Sequence, residues 1–148
     1  MERTVKTIMV VICCVMAYFM PANADNNKSI KVTELPAKAQ TLLSQHFKNQ
    51  KVAFASIESG IIDKNYDVVM QNGTKLEFDK KGNVTEIDCK QGAVPKKLIP
   101  QAIYTYLQKN HSGQTVRKIE FNKNEYEVEL SNGLDITFNK HFRVIDID

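Results

Sequence analysis

The sequence of 148 residues has no tryptophan, only 4 prolines, 6 glycines and 3 cysteines, and no strong excess of either charge, with 20 lysines and arginines against 17 acidic residues. So little glycine and proline excludes collagen-like and low-complexity chains. At 43% hydrophobic and 25% charged residues the composition is that of a chain with a packed core, not a disordered one. A net charge of +3, with basic residues scattered among acids and no aromatic stripe between them, leaves no footprint for nucleic acid. The common signatures of catalysis are lacking as well: there is no Gly-rich phosphate loop, no H-E-x-x-H and no C-x-x-C. His46, His111 and His141 lie far apart and, even with Cys89, do not form the three or four converging ligands of a zinc site. No serine or cysteine is spaced with a base and an orienting third group. The expectation is therefore a non-enzymatic chain with no catalytic residues, no metal and no cofactor.

What is present starts with an address. Arg3 and Lys6 precede an apolar run of 13 residues, 8–20, which Pro21 ends before Ala22-Asn23-Ala24. A membrane-spanning helix needs roughly 20 apolar residues, so the run is too short for an anchor. It reads as a secretory signal peptide, residues 1–24, cleaved between Ala24 and Asp25. The expected destination is the periplasm or the extracellular medium, with no stable membrane span after cleavage. The mature chain then has 148 − 24 = 124 residues with 18 basic and 16 acidic side chains, and that balance steers nothing strongly. Cys13 and Cys14 leave with the signal, so Cys89 cannot form an intrachain disulfide and is expected to be a small buried apolar residue. The polar stretch 25–34 reads as a flexible leader.

The remainder, 35–148, repeats itself, as 35–89 and 94–148. Laid over one another at an offset of 60, residues 66–88 and 126–148 are identical at 9 of 23 positions: Tyr66/Tyr126, Val68/Val128, Asn72/Asn132, Gly73/Gly133, Phe78/Phe138, Lys80/Lys140, Val84/Val144, Ile87/Ile147 and Asp88/Asp148. Upstream, Leu35-Pro36 pairs with Val94-Pro95 at an offset of 59, and Ile57-Glu58 with Ile119-Glu120 at 62. Each copy opens on a helical pattern: Ala39, Leu42, Leu43 and Phe47 in 36–48, then Ile99, Ala102, Ile103, Tyr106 and Leu107. Pro100 cannot lie inside a helix, so 95–99 reads as a turn or short helical piece and Pro100 as the start of the second helix. Strands follow, alternating through Tyr66, Val68 and Met70 and through Tyr126, Val128 and Leu130. Asn72-Gly73 and Asn132-Gly133 predict hairpins with type I′ turns. A second turn at 80–83 leads to a last strand, where Val84 and Ile87, three apart, require a bulge or place Val84 in the turn. Phe142 stands where the first copy has Gly82, which predicts different backbones for those two turns. The fold expected is α+β: helix plus four antiparallel strands, twice, forming a sheet with helices on one face. The other face, carrying Asp67, Lys75, Glu77, Glu127, Glu129, Asp135 and Thr137, is expected to be solvated.

A secretory signal followed by two copies of Y-x-V-x-(hydrophobic)-x-N-G-x-x-(hydrophobic)-x-F-(D/N)-K-x-x-x-V resembles the PepSY-like proteins of bacterial envelopes, whose duplicated fold resembles that of the beta-lactamase inhibitory protein. The residues that carry the resemblance are 66–88 and 126–148, with Leu35-Pro36 and Val94-Pro95 opening the helices. The resemblance implies an exported, non-enzymatic domain that binds or restrains a partner, a hydrolase among the candidates. The inhibitory protein is disulfide-bonded and this mature chain is not, and none of its enzyme-blocking loops matches residue by residue. The partner expected is an envelope or extracellular protein or peptide, held on the open sheet face by the seven residues just named. Charge reversal at Glu127, Glu129 or Lys75 is then expected to weaken capture without unfolding the domain. The alternative is a structural or stress-related envelope protein without a dedicated partner site.

Overall fold

The computed structural model describes residues 27–60 and 64–148. The signal segment and its cleavage position at Ala24 and Asp25 lie outside the described residues.

The chain forms an α+β fold with one nine-stranded antiparallel sheet whose strands lie side by side in chain order. The strands are β1 (Asn27–Ser29), β2 (Val52–Ser59), β3 (Lys64–Met70), β4 (Lys75–Phe78), β5 (Val84–Asp88), β6 (Val116–Phe121), β7 (Glu125–Leu130), β8 (Asp135–Asn139) and β9 (Val144–Ile147). Helix α1 (Ala37–His46) joins β1 to β2, and α2 (Gln101–Asn110) joins β5 to β6. Residues 27–34 are more than the leader their polarity predicts. Asn27–Ser29 pairs with β2, and Val32–Glu34 forms a 3-10 turn closed by the Glu34 carboxylate accepting from the Lys31 amide at 2.7 Å.

Both helices begin directly after a proline, Pro36 and Pro100, whose fixed φ suits a helix start. They bury Ala39 and Leu43, and Ile103 and Leu107, against Val68, Leu76, Phe78, Ile87, Ile119, Val128, Ile136 and Phe138 of the sheet. Tyr106 meets Phe138 edge to face at 5.4 Å. Cys89 is a free thiol inside this core, as expected of a small apolar residue. In the described structure the helices match as Pro36 with Pro100, Ala39 with Ile103 and Leu43 with Leu107, an offset of 100 − 36 = 64. The sequence pairing of Leu35-Pro36 with Val94-Pro95 is therefore displaced. Pro95 caps a 3-10 turn, Lys96–Leu98, and the additional residues sit in the connection after β5.

The turns correct two expectations. Asn72-Gly73 and Asn132-Gly133 do close hairpins, but not as two-residue type I′ loops. Phe142 is the only non-glycine with positive φ among the described residues, so both asparagines keep negative φ. Gly73 donates to the Met70 carbonyl at 3.0 Å and Met70 to Thr74 at 2.8 Å; Gly133 and Leu130 repeat this at 2.9 Å each. These are three-residue loops, a turn followed by a left-handed glycine, the other solution that matches strand twist. The β4–β5 and β8–β9 turns have the same wiring. Gly82 donates to Asp79 and Asp79 to Asn83, while Phe142 donates to Asn139 and Asn139 to Arg143. Asp79 Oδ1 and Asn139 Oδ1 each accept two further backbone amides. The wiring dictates the backbone, so Phe142 adopts φ 60° where Gly82 has 77°. The bulge that the Val84–Ile87 spacing requires is present, as a register shift beside Phe78.

Candidate functional site

Because side chains alternate along a strand, fixing Val68, Leu76, Ile87, Ile119, Val128 and Ile136 under the helices sends their neighbours to the opposite face. Register then lines these neighbours up in rows across the sheet. One row runs Ser56, Asp67, Glu77, Glu86, Glu120, Glu127, Thr137 and Asp146, each opposite the next. The next runs Phe54, Val69, Lys75, Asp88, Lys118, Glu129 and Asp135, with Asp148 beyond. No described helix covers this face. All seven residues expected on the open face are there. Asp67, Lys75 and Glu77 form one group, and Glu127, Glu129, Asp135 and Thr137 another that borders a shallow concavity of about 300 Å³ with Lys118, Glu120 and Asp148.

Sequence reasoning missed what joins the two groups. Glu86 and Asp88 of β5 pair with Glu120 and Lys118 of β6, which bridges the halves into one continuous surface. The alternation around Ile87 and Ile119 would have placed these residues on the polar face; the β5–β6 pairing has no local signal. Phe54 was also missed. It is 46% exposed on this face, opposite Val69.

The result is an acidic surface on a chain whose net charge is +3. The two lysines on it are committed locally. Lys75 Nζ lies 2.5 Å from Glu77, and Lys118 Nζ lies 2.5 Å from Glu120 and 3.4 Å from Glu86. The hydrogen bond that Lys75 donates to Glu77 raises the pKa of Lys75. Burial works against charge on Lys118, but the bond to Glu120 and the charge of Glu86 outweigh it and hold the ammonium charged. Burial pushes the Asp67 carboxyl up, and facing Glu77 and nearby Glu58 push it further against the pull of Lys75. Burial likewise raises Glu86, with Glu77 and Glu120 adding and Lys118 opposing. Partly exposed ion pairs contribute only about 0–1 kcal/mol each, the same order as the repulsion between facing carboxylates.

Among the described residues no group of three or more His, Cys, Asp or Glu is arranged to hold a metal ion. No helix among them is long and apolar enough to cross a membrane.

A meandering antiparallel sheet with both helices on one face and an open polar surface on the other defines the class. Residues 64–146 match the family described as "Putative beta-lactamase-inhibitor-like, PepSY-like", and the chain belongs to that family. Solved relatives agree. A "putative periplasmic protein" of the DUF2874 family from Bacteroides vulgatus is 50% identical, with a TM-score of 0.83 over 84% of this chain and 98% of that one. A "putative calcium-regulated periplasmic protein" from Bacteroides thetaiotaomicron is 48% identical, with a TM-score of 0.82 over 84% and 98%. A second Bacteroides vulgatus protein, described as "putative periplasmic" and of unknown function, is 37% identical, with a TM-score of 0.78 over 82% and 98%. Among the curated proteins there is no match.

Proposed function

We propose that this protein is an exported, non-enzymatic binding module of the periplasm that holds a basic protein or peptide segment on its open sheet face. One observation carries the reading: Asp67, Glu77, Glu86, Glu120 and Glu127 stand opposite one another on five successive strands. Like charges facing each other across strands are destabilising, so the isolated domain holds the row at an energetic loss. A partner presenting lysine or arginine relieves that loss on binding, which makes the row complementary to a cation and repulsive to an acidic competitor. Exposed Phe54 beside Val69 supplies the apolar contact that such interfaces centre on. A hydrolase whose cleft is rimmed with basic residues belongs to this partner class.

The periplasmic descriptions of the solved relatives support the location, as does the signal-like start of the sequence. The order helix plus four strands, occurring twice with the same turn wiring, supports a tandem duplication in which two acidic half-surfaces were joined through β5 and β6.

The test is affinity capture from the host envelope with the intact protein and with a Glu127→Lys/Glu129→Lys variant. The reading expects a stoichiometric partner that is lost both from the variant and as salt is raised, because exposed charges are screened. A captured protein retained equally by the variant would overturn it. No partner at high bait concentration would favour a structural envelope role.

A further inference from the structure

We propose a second site, at the sheet edge where the open face ends: the free edge of β9 accepts an extended antiparallel strand of another polypeptide that carries a basic residue next to a branched apolar one. The protein contains its own template for this pairing. In β5, Glu86-Ile87-Asp88 is covered along its outer edge by β6, where Ile119 lies opposite Ile87 and Lys118 opposite Asp88, with Lys118 Nζ 3.4 Å from Glu86. In β9, Asp146-Ile147-Asp148 holds the same places relative to β8 as those residues hold relative to β4. Beyond β9 the sheet has no further strand among the described residues. The consequence is visible at the two isoleucines: Ile87 is 0% exposed and Ile147 is 47% exposed. Ile145, at 52%, adds to the apolar edge.

The backbone points the same way. Asp135 and Asp148 exchange both of their hydrogen bonds, each at 3.0 Å. Antiparallel bonding alternates, so the amide and carbonyl of Ile147 face outward. At the other end of the sheet β2 does not lie bare: β1 covers it, with Lys28 opposite Ile57. An uncovered strand with exposed branched residues is the opposite arrangement and suits strand addition. Charge selects the occupant. A second copy pairing through β9 would set Asp146 and Asp148 against their like, whereas a strand resembling β6 brings a lysine to them.

The test uses the intact purified protein and a synthetic peptide of residues 114–123 (QTVRKIEFNK), followed by amide NMR and hydrogen exchange. The proposal expects shifts confined to β8 and β9 and slower exchange of the Ile147 amide. A peptide with Lys118→Glu should bind about tenfold more weakly. Ile147→Pro should abolish peptide binding while leaving the melting curve and open-face capture unchanged, because an outward amide on an edge strand bonds nothing within the protein. If that variant unfolds, Asp148→Lys takes its place and should discriminate between the two peptides in the opposite sense. No binding at millimolar peptide, shifts elsewhere, or equal binding of both peptides would overturn the proposal. A concentration-dependent dimer that the peptide dissolves would overturn it in favour of a second copy as the occupant.

Discussion

Gly82→Ala is the most incisive probe of how the sheet seats its first helix. Gly82 has φ +77°, and a Cβ built there would lie 2.7 Å from Pro36 Cβ, 3.1 Å from the Ala39 amide nitrogen and 3.3 Å from Lys38 Cβ. Two effects add. A non-glycine residue in the left-handed region costs about 1–2 kcal/mol. The contact with Pro36 demands a shift of the helix start, because all three neighbours are backbone or Cβ atoms that cannot swing aside; overpacking of this kind costs about 1–3 kcal/mol. The expected loss is therefore about 2–5 kcal/mol. Gly73→Ala separates the effects, since Gly73 has φ +85° with nothing within 4 Å of a built Cβ. It should lose only the first part, about 1–2 kcal/mol. Urea unfolding of both variants measures the difference through the midpoints, provided the slopes agree. Equal losses for the two variants would refute the claim that the β4–β5 turn is pressed against the start of α1.

Three further outcomes are expected. Phe142→Gly should change stability by less than about 1 kcal/mol, because relief of the positive φ offsets the lost stacking on Tyr126 at 5.1 Å, in contrast to about 3–5 kcal/mol for Phe138→Ala; denaturant titration decides. Asp67→Asn should stabilise the protein at neutral pH by about 0.5 kcal/mol after solvent screening. The folded carboxyl sits above its ordinary value, so the native state binds the extra proton and wild-type stability falls as pH rises through that raised pKa; melts taken at decreasing pH should show the variant's advantage vanish below the ordinary carboxylate value. Cys89 should escape thiol reagents in the native protein and react on unfolding, since burial raises its pKa against the opposing hydrogen bond with Thr74; peptide mapping of the labelled protein reads this directly.

Strong local chemistry made much of this fold legible in the sequence. Pro36 and Pro100 marked helix starts, alternation around Val68 and Val128 marked strands and their wet faces, and the Val84–Ile87 spacing announced a bulge. The errors share one cause, which is that the deciding contact is remote or compensated. Asn-Gly fits two loop classes, and only the bond from Gly73 to Met70 selects between them. Phe142 tolerates a glycine's conformation because the Asn139 bonds and the Tyr126 ring hold it there. Pro95 looked like Pro36 because a proline also caps a 3-10 turn. Of the candidate site, the seven named residues were readable from period two alone. Glu86, Asp88, Lys118 and Glu120 follow the same alternation, but their position at the centre of the surface was not readable, because the β5–β6 pairing that puts them there spans α2. The same pairing explains why a near-neutral sequence balance concealed an acidic face.

The docking of a partner on that face, proposed above, is open to carboxyl footprinting of the protein, free and saturated with its captured partner. Glu77, Glu86, Glu120 and Glu127 should lose reactivity in the complex while Glu34, in the 3-10 turn before α1, keeps it. Loss at Glu34 with the sheet carboxylates unchanged would place the partner on the helical side and overturn docking on the open face.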